Sequence, residues 1–170
     1  MTQLRMRDED YATLVKLEEA FEKKDLKYFT SFLRNSKDLP LLLRVHAVCM
    51  LEHIGNESVV SALCKVLKED SSPLTRHEAA FTLGQLGLKS AAPDLIQAML
   101  TDESPIVRHE SAVALSSLGD QSSLPHLEKA IADKDEDVRN SALIAWEYLS
   151  YLRRKNETKD AVSQKPKIRL

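Results

Sequence analysis

Apolar and small residues return along most of this chain every three or four positions, the spacing that lines one face of a helix. Val107, Ser111, Leu115 and Leu118, for example, fall at i, i+4, i+8 and i+11 of one segment. The pattern is punctuated by Ser-Pro pairs at Ser72-Pro73 and Ser104-Pro105 and by glycines at Gly87 and Gly119. A serine N-cap with proline at the first helical position is a favoured helix opening. A glycine at the far end permits the left-handed turn that closes a helix. Each stretch from proline to glycine therefore predicts one helix. A second segment with apolar residues at helical spacing follows each (AAPDLIQAML and SSLPHLEKAI), the first ending in the acidic turn Thr101-Asp102-Glu103.

The helices repeat. Arg44, Arg76, Arg108 and Arg139 open segments that align without gaps, spaced 32, 32 and 31 residues apart. Seven residues after each arginine stands Leu51, Leu83, Leu115 or Trp146. Eleven after stands Gly55, Gly87 or Gly119, and the fourth copy breaks the pattern at Ser150. A helix pair of this size cannot bury its apolar face alone, so successive pairs must stack. The expected fold is all-α: an α-α superhelix, or HEAT-like repeat solenoid, of about four to five helix pairs. Residues 1–39 form an N-terminal helical cap in this reading, with two helices over residues 8–35 that depart from the repeat pattern. Residues 40–153 carry the repeats. Residues 154–170 form a basic, solvated tail expected to be disordered. Trp146, Tyr148 and Tyr151 are expected to close the exposed end of the core.

Composition agrees with helix-on-helix packing. Apolar residues make up 43% of the 170 residues but aromatic residues only 5%, which leaves alanine and leucine to fill the core. A formal net charge of −2 predicts neither nucleic-acid nor acidic-membrane binding, although the segment from Arg153 to Leu170 carries seven Lys/Arg against two Asp/Glu. Cys49 and Cys64 both sit in apolar helical context and read as reduced, buried thiols. The N-terminus has no apolar leader and no stretch approaches a membrane-spanning length, so the expected compartment is the cytoplasm.

Candidate chemistry is confined to one repeat position. His77-Glu78 and His109-Glu110 follow Arg76 and Arg108 in the two central copies, where the outer copies have Val45-His46 and Asn140-Ser141. The conserved repeat roles belong to the arginine, the small residues, the leucine and the glycine, so packing does not demand these pairs. Adjacent stacked helices lie roughly 8–10 Å apart. An imidazole nitrogen reaches several ångströms from its Cα and binds a metal at about 2.1 Å. Two histidines on neighbouring helices can thus meet at one ion, with a glutamate completing the set. Two histidines and a carboxylate with open positions suit a non-haem iron that activates O2, though spacing alone leaves the metal open. His46, one position out of phase, His53 and His126 are read as surface or structural. No phosphate-binding loop, CxxC or Ser-His-Asp arrangement is present, and the cysteines lie on apolar helical faces unsuited to a nucleophile.

The segments TRHEAAFTLGQLG and PIVRHESAVALSSLGD, in that order and one repeat apart, resemble the deoxyhypusine hydroxylase family. The resemblance runs from about Leu41 to Arg153. It implies a HEAT-repeat di-iron monooxygenase that hydroxylates a modified lysine on a translation initiation factor. Such an enzyme has two halves, each with two His-Glu pairs, facing one another across two irons bridged by oxygen. The resemblance implies that His77, His109 and Glu110 serve one iron and that Glu78 reaches the iron held mainly by the opposite half. By this resemblance the sequence corresponds to one half of such an enzyme. The implied assembly is a homodimer with two irons per dimer, using O2 and acting on a lysine-derived side chain of a protein or on a small molecule, without nucleic acid or membrane. The alternatives are a protein-binding HEAT scaffold and a bilin-lyase-like protein without catalytic metal, families that share the arginine, leucine and glycine landmarks but not the paired His-Glu.

Overall fold

The computed structural model describes residues 6–163, and they form a stack of antiparallel helix pairs without strands. In chain order the helices are α1 (Asp8–Glu22), α2 (Leu26–Arg34), α3 (Leu41–Ile54), α4 (Glu57–Glu69), α5 (Pro73–Leu86), α6 (Ala92–Thr101), α7 (Pro105–Leu118), α8 (Leu124–Ala130) and α9 (Glu136–Ser163). Single 3₁₀ turns at Lys89–Ala91 and Gln121–Ser123 lead into α6 and α8. Helices α1, α3, α5, α7 and α9 pack side by side in one layer, and α2, α4, α6 and α8 in the other. The core between them is made of leucine, alanine and valine, with Leu51, Leu83 and Leu115 of the repeat landmarks fully buried. The expected solenoid is the observed one.

Local chemistry explains where the helices start and stop. Gly87 and Gly119 adopt left-handed backbone angles at the ends of α5 and α7, as their positions predict. Gly55 is a glycine for another reason. Its φ is −68°, and a Cβ there would lie 2.6 Å from the Leu51 carbonyl oxygen. Ser72 and Ser104 occupy the N-cap positions before Pro73 and Pro105, but their side chains make no capping bond. The carboxylates of Asp70 and Asp102, two residues earlier, accept from the serine backbone N–H groups at 2.8 Å instead.

Those aspartates have a second task that the local pattern does not show. Arg76 donates to both carboxylate oxygens of Asp102 at 2.8 and 2.9 Å, and Arg108 does the same to Asp133. Arg44 pairs with Asp70. Arg76 and Arg108 also reach back, Arg76 donating to the Asp70 carbonyl and Arg108 to the Asp102 carbonyl. One buried guanidinium therefore ties the turn before its own helix to the turn that ends its repeat. Arg139 keeps the carbonyl contacts, to Asp133 and Lys134 at 3.0 and 3.1 Å, but among the described residues no helix follows α9 to supply a carboxylate.

Two expectations at the C-terminal end are corrected. The tail expected to be disordered from residue 154 is helical as far as Ser163, as the continuation of α9. Extending an existing helix adds one hydrogen bond per residue without a new nucleus, and the Arg, Lys and Glu residues there are good helix formers. Residues 164–170 of that tail lie outside the described residues. Of the three aromatics expected to close the core, only Trp146 packs against it, while Tyr148 and Tyr151 are exposed. Lys155 lies over the Tyr151 ring, 5.7 Å from its centroid.

A close approach between α5 and α7 bears on the site. A Cβ on Gly84 of α5 would lie 2.9 Å from both Cα and Cβ of Ala114 on α7. Gly84→Ala must therefore push α5 and α7 apart, and we expect it to lower stability by about 1–3 kcal/mol in urea unfolding. The same displacement should weaken any function that depends on side chains meeting across α5 and α7.

Candidate metal centre

The His-Glu positions lie on the stacked helices α5 and α7, and stacking sets who meets whom. Neighbouring residues on a helix point about 100° apart, and the nearer contact of each histidine runs across helices. His77 on α5 places Nε2 3.3 Å from Oε2 of Glu110 on α7. His109 on α7 places Nδ1 2.6 Å from Oγ of Ser141 on α9. Ser141 stands at the glutamate position of the fourth repeat. The histidine of one repeat thus touches the glutamate-position residue of the next, twice over.

Around His77 the donors are close but not closed. Its Nδ1 lies 3.5 Å from Oε1 of Glu78 and is buried without a hydrogen-bond partner. The other Glu78 oxygen accepts from the Cys49 thiol at 3.6 Å. His77 and His109 line one cleft of about 330 Å³ together with Pro105, Ile106, Asp135 and Asp137. Among the described residues no three His, Cys, Asp or Glu side chains converge on one point as a metal site. The four expected residues are therefore brought to one surface, with His77 between the two glutamates and His109 held beside them.

Electrostatics single out Glu110. It is 8% exposed, although glutamate is almost never buried without a partner. Its only ion partner among the described residues is His77. Glu110 in turn raises the His77 pKa above its ordinary value, opposed by burial and assisted by Glu78. A raised histidine pKa stabilises the fold fully below about pH 6.5, and that contribution is lost as pH rises through the higher folded value.

The same geometry accommodates a cation. Two ligand atoms each about 2.1 Å from one ion are separated by roughly 3.0–3.4 Å when the angle between them is 90–109°. The His77–Glu110 separation of 3.3 Å falls in that interval, and it is long for a charge-assisted hydrogen bond. Imidazole and carboxylate donors suit a first-row divalent metal. The residues present thus fit part of a metal's ligand shell.

The remaining candidates do not join the site. His53 packs edge-on against the Phe21 ring, and the half-buried His46 and His126 each have a buried ring nitrogen without a partner. Both cysteines are free, and burial pushes their thiols up, to about 11 for Cys49 and about 12 for Cys64, with Glu78 and Asp94 adding to the rise. Neither is a thiolate nucleophile near neutral pH. Sequence reasoning passed over Ser141, although its register, 31 residues after Glu110, was the available signal.

Comparison with known proteins agrees with the fold. The structure of human deoxyhypusine hydroxylase in complex with glycerol superposes with a TM-score of 0.68 at 26% identity, covering 82% of this chain and 47% of that one. The complex of CpcE and CpcF of phycocyanin lyase from a Nostoc species superposes with a TM-score of 0.50 at 19% identity, over 70% of this chain and 64% of that one, and shows the fold alone. The chain spans about half the length of the hydroxylase and under two thirds of the lyase chain. Curated proteins give no sequence match. No helix among the described residues is long and apolar enough to cross a membrane. The model of HEAT repeats matches residues 26–115 and 60–147. With its stacked helix pairs and repeated arginine clamps, the chain belongs to the HEAT-repeat family.

Proposed function

We propose that this chain is a half-site of a non-haem di-iron, O2-dependent hydroxylase resembling deoxyhypusine hydroxylase, completed by a second copy about a two-fold axis. The observation that carries the reading is the His77–Glu110 contact across α5 and α7, which buries a carboxylate whose only ion partner among the described residues is a histidine. The 26% identity with the hydroxylase, over about half of its length, supports it. Two copies would together supply four His-Glu pairs.

In this reading His77, His109 and Glu110 hold one iron of each copy, and Glu78 turns toward the iron held mainly by the other. A bound iron pair supplies the activation of O2 for insertion into a C–H bond. The protein's part is to hold the ligands, exclude water and place the substrate. Leu74 and Ile106 stand three residues before the two histidines, on the same helix faces, and both are exposed in the single chain. Val113, four residues after His109, is exposed as well. An apolar border around buried polar donors is a surface that a second copy would cover. Asp135 and Asp137 line the cleft and give it the charge to receive a cationic amine, as on a lysine-derived side chain of a protein substrate.

Binding a divalent cation here requires His77 to lose its proton. Its raised pKa therefore sets a pH dependence: affinity should rise by up to about tenfold per pH unit below that value and level off above it. Titration with ferrous iron under nitrogen at several pH values measures this. The direct test of function is to load the full chain with ferrous iron anaerobically and then admit air. The reading predicts rapid O2 uptake and a visible charge-transfer band. Iron that binds without either response would contradict it and favour a protein-binding or bilin-lyase-like solenoid, which shares the fold but gives no role to a buried Glu110.

A further inference from the structure

Ser141 sits on α9 at the glutamate position of the last repeat and is 9% exposed. A serine hydroxyl carries one proton. Here Oγ lies 2.8 Å from the Asp137 carbonyl oxygen, four residues back in the same helix, and a carbonyl oxygen can only accept. The Ser141 proton is spent on that bond. With the proton there, Nδ1–H of His109 donating to the serine oxygen across the 2.6 Å contact is the assignment that satisfies both contacts at once. A neutral imidazole protonated at Nδ1 has its lone pair at Nε2. No hydrogen bond among the described residues takes that Nε2, and the ring lines the cleft shared with His77.

We infer that Ser141 is a positioning residue that holds His109 in the Nδ1–H tautomer and so turns its Nε2 lone pair toward a cation in the cleft. The His-Glu ladder explains why a serine serves here. At the equivalent step one repeat earlier, the glutamate-position residue Glu110 faces His77 as a donor set in itself. At the end of the ladder the same position meets His109, and a neutral acceptor there orients the ring without adding a second buried charge. A hydrogen-bonded partner on the far nitrogen is the usual way a metal-binding histidine has its tautomer and ring fixed. The cation half of this statement rests on the function proposed above, and the tautomer half does not.

The experiment separates the two. Long-range proton–nitrogen NMR on the metal-free full chain at about pH 8.5, where imidazoles are neutral, reads the tautomer of His109, assigned by loss of its signals in His109→Gln. The wild type should show Nδ1 protonated and Nε2 bare. Ser141→Ala should shift His109 toward the Nε2–H form, and Ser141→Thr, which keeps the hydroxyl, should restore the wild-type pattern. Ser111→Ala is the control, because it removes another buried serine with the same i−4 backbone bond but no histidine contact; it should leave the tautomer unchanged. Cobalt(II) titration should show affinity about 10–100-fold weaker for Ser141→Ala and close to wild type for Ser141→Thr. An Nε2–H tautomer in the wild type, a tautomer unmoved by Ser141→Ala, or an altered tautomer with unaltered cobalt affinity would each overturn the inference. If the wild type shows the expected tautomer but binds neither cobalt nor iron, the proposed function falls while the tautomer lock stands.

Discussion

Glu110→Ala is expected to weaken metal binding by more than about a hundredfold while leaving the fold as stable as the wild type, or more so. Loss of an outer hydrogen-bond partner of a metal ligand costs about 10–100-fold in affinity, and loss of a carboxylate ligand should exceed that. Stability should move the other way because a buried carboxylate is costly, and its one ion partner among the described residues, His77, can deprotonate once the charge is gone. Alanine is also the better helix former. Residues kept for chemistry at the expense of stability show this signature, whereas structural residues lose both together. Isothermal titration with ferrous iron and a thermal melt of the same metal-free sample check the two arms. A large fall in melting temperature, with affinity reduced only in proportion to unfolding, would make Glu110 a structural residue.

Arg108→Ala is expected to do the opposite, lowering stability by about 3–5 kcal/mol. The guanidinium is almost fully buried and satisfies both oxygens of Asp133 and the carbonyls of Asp102 and Glu103. Its removal leaves a poorly exposed carboxylate without its cation and two turn carbonyls without a donor. Arg108 also holds the Asp133 carboxyl below its ordinary pKa, so the clamp contributes above about pH 4 and is lost as pH falls through the depressed value. Urea unfolding at neutral pH should show the full loss, and the gap between variant and wild type should narrow in strong acid. Arg108→Lys should recover little, since an ammonium cannot bond both carboxylate oxygens and the carbonyls at once.

These two variants mark the division between what the sequence declares and what it hides. The repeat and its fold were legible because Arg, Leu and Gly recur with a fixed period, and each has a local or stacking role that the period exposes. Gly87 and Gly119 could be read directly as left-handed helix ends. Gly55 could not, since its reason is a clash with the Leu51 carbonyl oxygen rather than its own φ. Ser72 and Ser104 were read as capping side chains because serine before proline favours that role, but neither makes a capping bond, and it is Asp70 and Asp102 that accept, from the serine backbone N–H groups. Those aspartates were already fixed in place by arginines 26 residues earlier, a partnership that no local window contains. The end of α9 was misread because composition measures whether a segment can fold alone, not whether a helix already begun will continue through it.

The candidate site was half legible. His77, Glu78, His109 and Glu110 stood out because the same pair recurs in phase in two copies only. Their pairing across repeats did not, because a local window shows only the His77–Glu78 neighbours, whereas the nearer contacts run from the histidine of one repeat to the glutamate position of the next. That rule brings His77 to Glu110 and His109 to Ser141. It also explains why Ser141 escaped notice: in sequence it marks the absence of a glutamate, and only the fold gives its hydroxyl a histidine to hold.

The central claim is that a pair of these half-sites makes one metal centre. Native mass spectrometry of the iron-loaded full chain tests it most directly. The account predicts a dimer of two 19.2 kDa chains carrying two irons, with metal and dimer lost together in Glu110→Ala. A monomer without iron, or a dimer whose assembly is indifferent to iron and to Glu110, would contradict it.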